Sequence, residues 1–518
     1  MVHGSWTGCF LLYKNQCNQK NIKLLQGGWN MIYPSINEVK AILKEVSDGS
    51  QQPYFRFPVK LEIYADCMTP VMAVRRLKNA SHHCFLLESA EQSRQWGRYS
   101  FLGYDPSMEI TCQNGITKVT DKKTGAVVTK QSDHPGSLIR TVIEENRAPR
   151  IKGMPPFCGG LVGYFSYDYI KYSEPSLKLD AKDEESFQDV DLMLFDKVIA
   201  FDNYRQKVIL IVNIKIADME NAYVQAEKEL RDMAILLTQS EVAVHQPLRL
   251  KSEFRYLFDK KQYCEMVEKG KRYIREGDIF QVVLSNRIEA EIEGSLLDTY
   301  RILRCSNPSP YMFYFSSDDI EIAGASPETL VKLDCGILRT FPLAGTRPRG
   351  KTQEEDIEIE RDLLADEKER AEHNMLVDLG RNDIGKISKI GSVEVEKYMC
   401  MERFSHVMHI GSTVKGQLRE DKDALDAVDA ILPAGTLSGA PKLRACEIIN
   451  ELENNKRGIY GGAIGYLDFT GNLDTCIAIR IAYAKNGKVF IRSGAGIVAD
   501  SIPENEYAEC ANKAKAVL

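Results

Sequence analysis

Four glutamates carry the most specific chemistry in this 518-residue chain. Glu369 and Glu372 form one pair and Glu506 and Glu509 another, each at i, i+3 inside a segment that reads as helix. Positions i and i+3 share a helix face, so each pair aims two carboxylates the same way. Gathered without a cation, four carboxylates repel one another and raise their own pKa values. Mg²⁺ held through a few of them plus water keeps octahedral positions open for an anionic substrate. The same residues also read as a solvated charged face, because the stretch from Glu354 to Glu372 is crowded with acids and bases. From the pairs alone, both readings stand.

Bringing distant acids together requires a large folded frame. With 44% hydrophobic residues, the chain can bury a sizeable core and divides into two or more domains. Its 67 basic and 73 acidic residues leave a net charge of −6, which excludes a broad basic surface for nucleic acid or an anionic membrane. Any anionic ligand must be drawn by local groups. Thirteen cysteines without a CxxC pair argue against a disulfide framework or a Cys₄ zinc site, and for a reducing, cytoplasmic setting. No apolar run reaches the roughly 18 to 20 residues of a membrane span.

Residues 1–30 read as an extension outside the native protein, with Met31 expected as the true start, and Cys9 to Leu12 is too short for a signal-peptide core. A first domain is expected over 31–237, a polar linker over 238–252 and a second domain over 253–518. Ile36 to Val46 predicts an amphipathic helix, Cys84 to Leu87 and Tyr99 to Leu102 predict strands, and Leu192 to Phe201 with Lys207 to Val212 predicts a hairpin-like pair. Ala217 to Leu237 predicts a long helix. Asp259 followed by Gln262 predicts a capping box, opening a helix that stops at Gly277. The apolar run Ile279 to Leu284 then predicts a buried strand. One internal echo, GGLVGY at 159–164 and GGAIGY at 461–466, suggests two similar strands lying close, since glycines weaken a strand unless another backbone approaches.

Two glycine-rich segments invite a nucleotide reading and fail it. Gly494 to Ala499 fits G-x-G-x-x-A, but only nineteen residues follow, too few for the helix, strand and acidic residue of a dinucleotide unit. Gly435 to Lys442 lacks the G-K-[ST] of a phosphate loop. Both are expected to be loops whose backbone N–H groups approach a carboxylate.

Together, FPLAGTRPRG (341–350), DLGRND (378–383), GTLSGAPK (435–442), DTCIAIR (474–480) and SGAGIV (493–498) closely resemble the chorismate-utilising enzymes. The resemblance covers nearly all of residues 31–518. It implies an α+β fold, in which two antiparallel β-sheets pack as a sandwich flanked by helices and the N-terminal region is intertwined with the chorismate-binding part. It also implies that Glu372 and Glu509 bind Mg²⁺ directly, with Glu369 and Glu506 reaching the ion through water. Glu328 falls at the general-acid position that protonates a departing C4 hydroxyl, and that role needs a raised pKa. Arg480 and Tyr460 fall where the enolpyruvyl carboxylate is held, with backbone amides of Gly345, Thr346, Gly494, Ala495 and Gly496 completing the cradle. His409 matches a histidine tied to pyruvate elimination, and His406, one helical turn away, is the expected decoy. Thr436 and Lys513 fall at active-site positions without assigned roles.

The nucleophile is implied by two positions. Water-activating relatives carry a lysine where this chain has Gln281, and a branch with a lysine nucleophile carries it where this chain has Ala344. Neither an amide nor a methyl can do that work. Ammonia is therefore the expected attacker on chorismate, with anthranilate and pyruvate as products. No G-x-C-x-G glutaminase segment occurs, since Cys158 lies in FCGG, so a separate glutamine amidotransferase subunit and a hetero-oligomer are expected. Glu88 and Ser89, with Asn307, Pro310, Tyr311 and Met312, resemble a tryptophan feedback pocket. Two alternatives are an aminodeoxychorismate-forming subunit and a catalytically silent tryptophan sensor.

Overall fold

A computed structural model of the chain describes residues 32–48, 53–90, 97–403 and 407–518. The expected extension 1–30, the start at Met31 and the decoy His406 lie outside the described residues. Two large sheets form the body, with thirteen and twelve strands among the described residues. Every ladder between named strands is antiparallel. The first sheet runs from Arg56–Tyr64 through Lys207–Lys215, Lys197–Asp202, Tyr99–Tyr104 and Cys84–Glu88 directly into Tyr311–Ser316, Glu321–Ser326, Ile481–Lys485, Lys488–Ile497 and Gln281–Glu293. Early and late parts of the chain thus share one hydrogen-bonded layer. The second sheet mixes them equally, joining Gly160–Phe165 to Ala463–Asp468.

An aromatic core fills the space between the sheets. Phe85, Phe101 and Phe313 from one sheet meet Phe195 and Ile464 from the other, burying surface worth roughly 25 cal/mol per Å² removed from water. The outer faces are covered by helices. Met219–Gln239 and Leu297–Ser306 cover the first sheet, and Gly136–Glu144 and Ala424–Ile431 the second. No helix among the described residues is long and apolar enough to cross a membrane.

Local expectations are met where short-range chemistry decides. The helix Lys260–Arg275 opens with the Asp259 carboxylate accepting from Gln262 N and the Gln262 amide accepting from Asp259 N, both at 2.9 Å. It ends before Gly277, at φ +86°. The echoed glycine strands pair antiparallel, with Gly163 facing Gly465. A Cβ on Gly163 would fall 2.0 Å from the Asp191 carbonyl oxygen, and one on Gly465 2.0 Å from that of Asp474. Close backbone approach is the reason for those glycines.

Three expectations need correction. Leu192 to Phe201 is not one strand: Val190–Phe195 belongs to the second sheet and Lys197–Asp202 to the first, with a corner at Asp196. Both halves are buried on both faces, so apolar periodicity continues through the corner. Gly494 to Gly496 is not a loop but lies inside the strand Lys488–Ile497, opposite Val283, Leu284 and Ser285. The segment around His409 is strand Val407–Gln417 rather than helix. Within 238–252 the helix Met219–Gln239 ends, and Arg249–Leu250 pairs with Ile292 and Glu293.

Candidate active site

Sheet-to-sheet corners position the central side chains. The chain leaves the first sheet after Glu321–Ser326 and enters the second at Thr329–Asp334, leaving Glu328 at the corner. It returns from Leu473–Ile477 to Ile481–Lys485, leaving Arg480 at a second corner. The two corners are tied together: Ile477 N donates to the Glu328 carbonyl at 3.0 Å and Ala325 N to the Arg480 carbonyl at 3.2 Å. Arg480 adopts φ +51°, a left-handed conformation uncommon for a residue with a Cβ and found where surrounding structure enforces it.

Burial pushes the Glu328 carboxyl up to about 7, against the Thr436 hydroxyl and the charges of Lys513 and Arg480, which act to lower it. Thr436 Oγ1 donates to Glu328 Oε1 at 3.0 Å. Such a carboxyl can carry a proton near neutrality. Burial also lowers the pKa of Arg480, with Glu328 opposing.

The glycine strand forms a wall of the same cleft. A Cβ on Gly494 would lie 3.1 Å from the Tyr460 hydroxyl, and one on Gly496 would lie 2.6 Å from Gln281 Nε2. Tyr460 and Gln281 therefore press on this strand, and glycine is what admits them. Lys513 Nζ donates to the Gly494 carbonyl at 3.3 Å and pairs with Glu509 at 2.7 Å. Opposite, His409 Nδ1 lies 3.0 Å from the Gly345 carbonyl and 3.1 Å from Thr346 Oγ1. Donation from Nδ1 to that carbonyl leaves the basic lone pair on Nε2. Burial lowers the His409 pKa, with Arg480 contributing and the Gly345 carbonyl opposing. Gly345 has φ +64°, and a Cβ there would sit 3.3 Å from Glu369 Oε2.

The acidic pairs converge from the helices Glu367–Gly385 and Pro503–Ala514. Burial and the charge of Glu369, with Glu509 adding, raise the pKa of Glu372 against Lys368 and Lys513. Burial and Glu509 likewise raise Glu506. The protein's own cations stand at the cluster: Arg347 Nη1 on Glu369 at 3.2 Å and Lys513 on Glu509. Carboxylate oxygens are the donors Mg²⁺ takes, and Glu372 feels the charges of Glu369 and Glu509, but no three of the four glutamates bring ligand atoms within 4.8 Å of one another. Among the described residues, the group of three that does so is His83, Glu109 and Asp318. There Lys122 Nζ already sits 3.1, 3.1 and 2.8 Å from the three.

Sequence reasoning missed the network that holds this cleft from below. Glu453, Arg457 and Arg492 are each at most 2% exposed. Glu453 accepts from Ser285 N at 2.7 Å, from Arg457 at 2.5 and 3.0 Å and from Arg492 at 2.9 Å. Arg457 also donates to the carbonyls of Leu437 and Val283, both at 2.6 Å. Those contacts join the segment beside Thr436 to the strand facing Gly494–Gly496. The Glu453–Arg457 spacing of i, i+4 was the available signal; Arg492 gave none.

Of the six residues expected at a second pocket, Glu88 and Met312 lie opposite one another across adjacent strands. Asn307 Nδ2 donates to the Ala516 carbonyl at 2.8 Å. The Glu88 carboxylate accepts from Tyr300 at 2.6 Å and from Arg304 at 3.0 and 3.2 Å. Tyr311 points away, its hydroxyl donating to Asp474 at 2.8 Å, while Ala90 N donates to the Ser309 carbonyl at 3.0 Å. A ligand ammonium at Glu88 would compete with Arg304.

Fold and cleft define a class: residues 82–518 match the family of chorismate binding enzymes, and the chain belongs to it. Within that class it is similar to anthranilate synthase component 1 of Acetivibrio thermocellus, 45% identical over 94% of this chain and 98% of that protein. The same component from Aquifex aeolicus is 44% identical over 92% and 96%. Among solved structures, anthranilate synthase component I from Streptococcus pneumoniae TIGR4 aligns with a TM-score of 0.70 at 39% identity, covering 88% of this chain and 98% of that one. The menaquinone-specific isochorismate synthase from Escherichia coli shares the fold, with a TM-score of 0.65 at 18% identity over 92% and 98%.

Proposed function

We propose that this chain is the chorismate-binding component of an anthranilate synthase, a Mg²⁺-dependent lyase that aminates chorismate at C2 and releases pyruvate. The observation that carries the reading is Glu328, a partly buried carboxyl whose pKa desolvation pushes up to about 7, near Arg480 and Lys513. Hydroxide is a poor leaving group, so a proton held there assists C4–O cleavage. Arg480 supports the reading as a two-pronged donor for the enolpyruvyl carboxylate, with the Tyr460 hydroxyl beside it. His409, oriented by the Gly345 carbonyl, accepts and returns a proton at Nε2 during loss of pyruvate. Glu372 and Glu509 would hold the metal, with Glu369 and Glu506 acting through water. When bound, Mg²⁺ supplies an electrophile and template for the ring carboxylate.

Gln281 and Ala344 cannot activate water or attack the ring, which leaves ammonia as nucleophile. A glutamine amidotransferase partner would deliver it in the cytoplasm as a hetero-oligomer. The test uses chorismate, Mg²⁺ and ammonium with this chain alone, following anthranilate fluorescence and pyruvate. Product formation supports the reading; aminodeoxychorismate, or no turnover, favours the other two.

Tryptophan is proposed to bind at Glu88, Ser89, Asn307, Pro310, Tyr311 and Met312 and to favour a less active state. Substituting Ser89→Phe should raise the tryptophan concentration for half-inhibition at least about tenfold, a coupling change of ~1.4 kcal/mol, without changing uninhibited turnover. Unaltered inhibition would remove this pocket from consideration.

A further inference from the structure

A second space opens at Glu328. It is a cavity of about 50 Å³ whose lining includes Glu328, Thr340, Leu376, Leu379, Asp383 and Thr436. Of the residues assigned to catalysis and substrate binding, only Glu328 and Thr436 line it; Arg480, Tyr460 and His409 do not. The cavity thus meets the acid on the side of Thr436 and Thr340, with none of Arg480, Tyr460 and His409 in its wall. Thr340 Oγ1 is buried and has no hydrogen-bond partner among the described residues, and a Cβ added to Gly380 would lie only 3.1 Å from it. A buried hydroxyl left unpaired is costly. Water resolves that cost, because a single molecule needs only about 10–15 Å³ of such space and two or more polar neighbours.

Asp383, in the cavity wall, pairs with two lysines. Its Oδ2 accepts from Lys442 at 2.9 Å, and Lys386 lies 3.8 Å from its Oδ1 with a half-exposed side chain. Burial raises the pKa of Asp383, with Lys442 and Lys386 opposing.

Resting on the reading of Glu328 as proton donor, we propose that this cavity is a proton-return path, in which water held by Thr340 and Asp383 reprotonates Glu328 after each turnover. In the amination step the new C2–N bond forms and the C4–O bond breaks. The Glu328 proton leaves with the oxygen as water, and the new ammonium group on the ring releases a proton to solvent. Glu328 is left as a carboxylate and must regain one proton before the next turnover. While the cleft is filled by ring intermediates, the cavity supplies that proton without admitting water to the reacting carbons. Thr340 and Asp383 are positioning residues, since they act through water and touch no substrate.

The experiment is a rapid-mixing measurement of anthranilate formation by the full chain with chorismate, Mg²⁺ and ammonium. Thr340→Val keeps the shape and removes the unpaired hydroxyl, so the melting temperature should hold or rise. Its first turnover should match wild type, followed by steady turnover slowed about tenfold, with KM lowered in proportion so that kcat/KM is unchanged, and an enlarged solvent deuterium effect. Thr340→Ser should restore the steady rate, and Asp383→Asn should show the same burst. A first turnover slowed as much as the steady rate would make Thr340 a prop for Glu328 and overturn the path, as would wild-type steady turnover in Thr340→Val. A wild-type chain that forms no anthranilate sinks the function reading, and the path with it.

Discussion

Two glutamates withdrawn from water, one fully and one partly, have opposite fates. Glu453 is enclosed, and burial acts to raise its pKa, yet Arg457 and Arg492 with the Ser285 amide hold it below the ordinary carboxylate range. Glu328 is partly buried, its nearest polar partner is the neutral Thr436 hydroxyl, and its pKa rises to about 7. Burial alone decides neither outcome; the number and charge of the donors facing each carboxylate do. The fully paired acid serves as scaffold, and the underpaired one keeps a proton available.

Exchanging carboxylate for amide at each position tests this contrast. Glu328→Gln should lower turnover by about 10² to 10⁴-fold, the usual worth of a positioned proton donor, while circular dichroism shows an intact fold. Glu453→Gln should do the reverse in kind. Two buried guanidiniums would lose their counter-charge, which costs about 3–5 kcal/mol in urea unfolding; a loss under about 1 kcal/mol would show that the network is not a scaffold.

Glu328 also predicts a pH-dependent stability. Its folded pKa lies above the unfolded value of 4.5, so its contribution is fully present below about pH 4.5 and is lost as pH rises through about 7. Glu328→Gln should therefore gain stability over wild type across that window, by on the order of 3 kcal/mol at pH 8 and nothing at pH 4. Wild-type kcat/KM should fall above about pH 7 for the same reason. Thr436→Val is the smallest change. Without the hydroxyl that favours the carboxylate, the alkaline limb of the pH profile should move upward by less than about one unit. A downward move would reverse the sign assigned to that contact.

Short-range features were legible in the chain. The Asp259 capping box, the i, i+3 acids and the Gly163–Gly465 echo each depend on residues within one turn or on a steric demand that only glycine meets. Features that depend on distant partners were not. The Asp196 corner hides inside an apolar run because both flanking strands are buried on both faces. Gly494 to Gly496 resembled a loop, but the Tyr460 hydroxyl and the Gln281 amide make the demand for glycine inside a strand. Thr340 is an ordinary hydroxyl residue in sequence, and only the cavity around it makes it unusual.

By itself the sequence determined which groups were available: four carboxylates aimed in pairs, an acid in SPET, an arginine closing DTCIAIR, and amide and methyl groups where lysines would redirect the reaction. Side-chain identity and helical phase are local properties, so residue order suffices for them. Tertiary structure decided the electrostatics. A carboxyl's proton affinity depends on how much water is removed and which charges and donors face it, and those groups are Arg480, Lys513 and Thr436, all more than a hundred residues from Glu328 in the chain.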